Sequence, residues 1–136
     1  MLERDAGPGI HRVEDANVNW YLVEDGARFH ESDTLDVPGS PAVVFSPGHT
    51  LGHCALHFPE RDTLIAGDSI VMLDPYTAET GPRIVAGAAT ADYERALGSL
   101  DALAATGART VLTGHGDAWG DGIENAVAQA RRVGPT

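Results

Sequence analysis

Three short apolar runs, Ala42 to Phe45, Thr63 to Ala66 and Thr110 to Thr113, share one kind of ending: glycine, then a side chain able to bind a metal. The junctions read Pro47-Gly48-His49-Thr50, Ala66-Gly67-Asp68 and Thr113-Gly114-His115-Gly116. Each run has the β-branched, bounded composition of a strand. Neighbouring strands of one polarity bring their ends to one edge of a sheet, where α/β proteins place ligands. His49, Asp68 and His115 are then expected to converge. Glycine before each of them lets the backbone turn sharply and approach an ion. Two imidazoles and one carboxylate form a nitrogen and oxygen set suited to a single zinc, with iron or manganese as alternatives, and leave positions open for water or substrate. Such a site polarises a carbonyl or phosphoryl oxygen and acidifies water, the chemistry of metal-assisted hydrolysis.

The rest of the chain supplies the elements around those junctions. Val18 to Val23 reads as a strand closed by Asp25-Gly26, after a largely polar, glycine-containing stretch of 17 residues with no clear element, and Thr34 to Val37 as a second, brief strand before Pro38-Gly39. Cys54 to Phe58 alternates, putting Cys54, Leu56 and Phe58 on one face and His53, Ala55 and His57 on the other. The turn Pro59-Glu60-Arg61-Asp62 then makes a hairpin into Thr63. A helix capped by Thr90 carries Tyr93, Leu97, Leu100 and Leu103 on one face until Gly107. A second starts at Asp121, with Glu124 as capping-box partner, and ends at Arg131-Arg132 before Gly134-Pro135. Between strand and helix, residues 74–89 form a long loop of the kind that often carries function. A single layered α/β or α+β domain over residues 1–136 follows.

Charge removes several function classes. The 136 residues include 20 acidic and 9 basic side chains, a formal charge of −11, and every basic residue is an arginine. Nucleic acid, held through clustered positive charge, is excluded as a partner. No apolar run is long enough to span a bilayer, and Met1-Leu2-Glu3-Arg4-Asp5 lacks the core of a secretion signal, so a cytoplasmic protein is expected. Cys54 is alone and cannot form an intramolecular disulfide. Neither a phosphate-cradling glycine loop nor a GxSxG serine elbow occurs.

The segments Ser46-Pro47-Gly48-His49-Thr50-Leu51-Gly52-His53, Ala66-Gly67-Asp68-Ser69 and Thr113-Gly114-His115-Gly116 resemble, in order and spacing, the second half of the metallo-β-lactamase superfamily of metal-dependent hydrolases. Asn17 to Val23 is similar to that family's first strand. The resemblance implies an αββα sandwich, of which this chain carries mostly the second half, and assigns His49, Asp68 and His115 to a one- or two-metal centre. It also implies a small-molecule substrate. The family's leading HxHxDH motif is absent: the nearest residues, His30, Glu31 and Asp33, do not reproduce its spacing and fit a polar turn as well. Half of each metal's ligands are missing with it, so one ion and weakened or absent hydrolysis are expected. The alternative is a non-catalytic metal-binding or oligomerising module. A sheet face left bare by the missing half would favour a homodimer.

Other residues carry weaker signals. His53 and His57 sit beside the motif, Cys54 fits a small buried apolar position better than a nucleophile, and Tyr76 lies in the long loop. Trp20 is assigned to the core, and Trp119 either shields the metal edge or caps the last helix.

Overall fold

The computed structural model describes residues 33–136 in full and, before them, the backbone of three strands, β1 (Leu2–Gly7), β2 (Ile10–Asp15) and β3 (Val18–Tyr21). These pair antiparallel in the order β1-β2-β3. Thus β1 and β2 occupy the stretch for which the sequence indicates no element. Its charged residues hide any period-2 apolar pattern, while neighbouring antiparallel strands need only each other to satisfy their backbone groups. The side chain of Trp20, and His30 and Glu31, lie outside the described residues.

Beyond them come β4 (Ala42–Phe45), β5 (Cys54–Phe58), β6 (Thr63–Gly67), β7 (Val71–Leu73), β8 (Thr80–Arg83), α1 (Tyr93–Ala104), β9 (Thr110–Thr113) and α2 (Ile123–Val133). A four-stranded sheet has the order β4-β5-β6-β9. Val43 pairs with Leu56 and Leu56 with Ile65 in antiparallel register, and Ile65 pairs with Leu112 in parallel. Two antiparallel steps turn β4 back to the direction of β6 and β9. The three glycine-ended strands therefore share one polarity, although β5 separates β4 from β6. Because β5 runs the other way, its first residues begin at the edge where those three strands end.

Helices α1 and α2 cover one face of this sheet, packing Leu100, Leu103, Ile123 and Val127 onto Ala55, Leu64, Ala66 and Val111. The other face carries Phe58, Ile65 and Leu112, with Leu56 alongside. Alternation along β5 is thus as the sequence indicates, Ala55 toward the helices and Phe58 away from them. The face expected to be bare is buried at these positions within one chain: Phe58 is 2% exposed and Leu112 0%. Cys54 is half-buried rather than enclosed.

Three local expectations are corrected. Residues 34–37 form a single bridge, Thr34 to Ala42, followed by a turn closed by Ser40 N–H donating to Val37 O at 2.8 Å. Pro38-Gly39 ends the extended chain before a ladder can build. The cap of α1 is Asp92, whose carboxylate accepts from Arg95 N–H at 2.9 Å. Thr90 instead donates its hydroxyl to Val85 O at 2.7 Å. Helix α2 is preceded by Gly122 with no side-chain cap. The backbone supplies partners there, since Gly122 N–H donates to Arg109 O and Ile123 N–H to Ala108 O, at 2.9 and 2.8 Å. The indole Nε1 of Trp119 donates to Gly122 O at 3.0 Å, bracing this helix start.

The expected long loop contains β8 and is organised by one buried side chain. Asp74 Oδ1 accepts from Tyr76 N–H at 2.8 Å and Thr77 N–H at 3.3 Å, and Oδ2 from Ala86 N–H at 2.9 Å. Its carboxylate so joins both ends of the excursion. Replacing Asp74 by Ala leaves the buried Ala86 donor without its acceptor and is expected to lower unfolding free energy by about 2–3 kcal/mol in urea titration. Asp74→Asn, keeping one acceptor oxygen, should recover part of that loss. An unchanged urea midpoint in Asp74→Ala would refute this role.

Candidate metal centre

The shared sheet edge gathers the expected donors. His49 follows β4, Asp68 follows β6 and His115 follows β9, and both imidazoles direct Nε2 at the same atom. His49 Nε2 lies 3.5 Å from Asp68 Oδ2, and His115 Nε2 lies 3.6 Å from it. Both distances exceed those of a good hydrogen bond. They are close to the spacing, roughly 3.4 Å, that two donors adopt around one tetrahedral ion with bonds near 2.1 Å.

Local backbone contacts fix the approach of each donor. The His49 loop is pinned to the start of α1, where Ala91 N–H donates to His49 O at 3.1 Å and Asp92 N–H to Gly48 O at 2.9 Å. His115 O accepts from Met72 N–H at 2.9 Å and from the Thr113 hydroxyl at 2.8 Å. Gly114 N–H donates to Gly67 O at 2.9 Å, lacing the ends of β6 and β9 together. A Cβ on Gly114 would lie 2.0 Å from Asp68 Oδ1. Glycine there provides the space that the carboxylate occupies.

Asp68 Oδ1 and His49 Nδ1 are buried without a hydrogen-bond partner. A carboxylate oxygen left this way is costly unless a cation or donor meets the group. The donor chemistry and the orphaned oxygen fit a divalent ion of the zinc type. Two pairs sharing one oxygen are not yet three donors around one point, and among the described residues no group of three or more His, Cys, Asp or Glu side chains is set to hold an ion as it stands. Asp33, the one described residue of the three nearest to the absent leading motif, is exposed in the segment before β4 and belongs to no such group.

His53 stands behind this cluster, its ring edge-on to His49 with centroids 6.4 Å apart. Its Nε2 accepts from Asp68 N–H at 3.2 Å, and its Nδ1 lies 2.9 Å from Ser46 Oγ. Burial holds its pKa below the usual histidine range; Asp68 pulls it upward and His49 pushes it further down. Burial also lowers His57, with Asp62 opposing the shift. The sequence places His53 beside the motif without requiring a role for it, whereas the fold directs both of its nitrogens to partners within the protein. Its position just before β5 is the signal that could have shown this, because β5 starts at the edge where the other strands end.

A layered α/β domain with two histidines and an aspartate on one strand edge defines the class. A family model described as the metallo-beta-lactamase superfamily matches residues 21–115, and the chain belongs to that superfamily. Over 72 residues it is 43% identical to a hydroxyacylglutathione hydrolase of Hyphomonas neptunium, covering 52% of this chain and 22% of that protein. It is similar to the crystal structure of a metallo-beta-lactamase family protein from Thermus thermophilus, at 29% identity and TM-score 0.55, covering 78% of this chain and 35% of that one. A beta-lactamase domain protein from Burkholderia ambifaria gives 26% identity and TM-score 0.56, with 78% and 32% covered. The chain spans about a fifth to a third of the length of these relatives. No helix among the described residues is long and apolar enough to cross a membrane.

Proposed function

We propose that the chain holds one divalent ion, zinc in the first instance, on His49, Asp68 and His115, and that this site serves a metal-dependent hydrolysis. The observation that carries the reading is the aim of both imidazole Nε2 atoms at Asp68 Oδ2. When bound, the ion supplies Lewis acidity toward a carbonyl or phosphoryl oxygen and toward water. The protein's part is to present two neutral imidazoles and one carboxylate from strand ends, and to keep Asp68 Oδ1 free of competing donors. Because HxHxDH is absent, this chain by itself has low turnover, and the substrate class to test first is the thioester, after the hydroxyacylglutathione hydrolase that it resembles over 72 residues.

Calorimetric zinc titration of metal-free protein tests the site. Wild type is expected to bind one equivalent, and His49→Ala and His115→Ala each to weaken binding by more than about 100-fold, since each removes a direct ligand and even supporting residues cost roughly 10- to 100-fold. Equal occupancy in the wild type and both variants would overturn the assignment. Stoichiometric zinc with no thioester cleavage would favour instead a metal-binding module without catalysis.

A further inference from the structure

We propose that His53 is a positioning residue that locks Asp68 into the candidate metal site by tying the ends of β4 and β6 together through its ring. The assignment follows from the two contacts at its nitrogens. Asp68 N–H donates to Nε2, so Nε2 carries no proton and the ring hydrogen sits on Nδ1. That hydrogen is donated to Ser46 Oγ, on a serine just after β4 that is 1% exposed. The lone pair that would otherwise ligate a metal is therefore occupied by a backbone amide. This separates His53 from His49 and His115, whose Nε2 atoms face the Asp68 carboxylate.

The ring also shapes the turn that aims Asp68. Gly67 has φ +54, and a Cβ there would lie 2.8 Å from His53 Nε2, so imidazole and glycine backbone occupy adjoining space. The serine end is held as well, because Ser46 N–H donates to His53 O at 3.0 Å. Serine, imidazole and the Asp68 amide thus form a strap across three strand termini. Removing the ring frees the amide and opens a space behind the turn, and the carboxylate loses its fixed direction. This inference rests on the metal reading for its effect on binding, but not for its effect on the Asp68 amide.

Two readouts on the whole chain test it. In metal-free protein, amide hydrogen exchange at Asp68 should accelerate at least 10-fold in His53→Ala and return close to wild type in His53→Gln, whose side-chain oxygen can accept the same hydrogen bond. Zinc affinity by calorimetry should fall about 10- to 100-fold in His53→Ala, the range for residues that orient metal ligands, with Gln restoring most of it. Ser46→Ala, which removes only the far anchor, should give a smaller loss in both and serves as the test variant if His53→Ala fails to fold. Unchanged Asp68 exchange in folded His53→Ala, or in Ser46→Ala if it must stand in, would overturn the proposal. So would a failure of Gln to rescue. If wild type binds no zinc, the metal reading fails while the exchange measurement still decides the role of His53.

Discussion

Gly114→Ala is expected to lower zinc affinity about 100-fold or more while leaving the fold nearly as stable as wild type. The new Cβ would sit 2.0 Å from Asp68 Oδ1 and 3.0 Å from its Cγ, separations that no relaxation of a few tenths of an ångström can repair. Gly114 itself has no left-handed backbone, so alanine adds no conformational strain there. The cheapest escape is rotation of the Asp68 side chain, which is 26% exposed and can swing toward solvent. The carboxylate then leaves the point at which His49 and His115 are aimed. Loss of a ligand should exceed the 10- to 100-fold typical of supporting residues. A double-mutant cycle sharpens the test: adding Asp68→Ala to Gly114→Ala should cost no further affinity, because both changes remove the same oxygen atoms. Wild-type affinity in folded Gly114→Ala would show that Asp68 is not a ligand.

How much of this arrangement is legible in the sequence depends on the range of the signal. The three junctions that carry His49, Asp68 and His115 are local features, each within a few residues, and they fall where β4, β6 and β9 end. The hairpin through residues 59–62 is equally local, and its register is readable from alternation. Strands β1 and β2 are not, since their residues lack an apolar stripe. The start of α2 differs from expectation because its partners are distant in sequence: Gly122 and Ile123 donate to carbonyls at Arg109 and Ala108, making a side-chain cap unnecessary. Asp74 escapes sequence reading for a related reason. Its bonds to residues 76 and 77 could be anticipated as a local turn, but its bond to Ala86 N–H requires the loop to double back. The brace at His53 depends on three strand ends meeting, which only the order β4-β5-β6-β9 reveals.

The same dependence on distant contact makes Gly48→Ala the most damaging single substitution expected for the fold. Gly48 has φ +147, outside the range that alanine adopts without strain, and its Cβ would lie 2.3 Å from both the N and Cα of Ala96. Those are backbone atoms inside α1, so no rotamer change can relieve the overlap. Nor can the loop withdraw freely: Ser99 Oγ donates to Pro47 O at 2.6 Å, and the amides of Ala91 and Asp92 donate to His49 O and Gly48 O. Separating loop from helix would sacrifice these bonds and leave the buried Pro47 carbonyl without its donor. Overpacking alone costs about 1–3 kcal/mol, and with the backbone strain a loss of about 3–5 kcal/mol is expected, a large share of the stability of a small domain. Urea unfolding followed by circular dichroism measures it. Ala96→Gly in the same chain should not restore the midpoint, because it removes only the contact to Ala96 Cβ at 2.4 Å and leaves the two backbone overlaps in place. A midpoint equal to wild type in Gly48→Ala would mean that the loop bearing His49 is not pressed against α1, and the position of His49 in the candidate site would lose its structural basis.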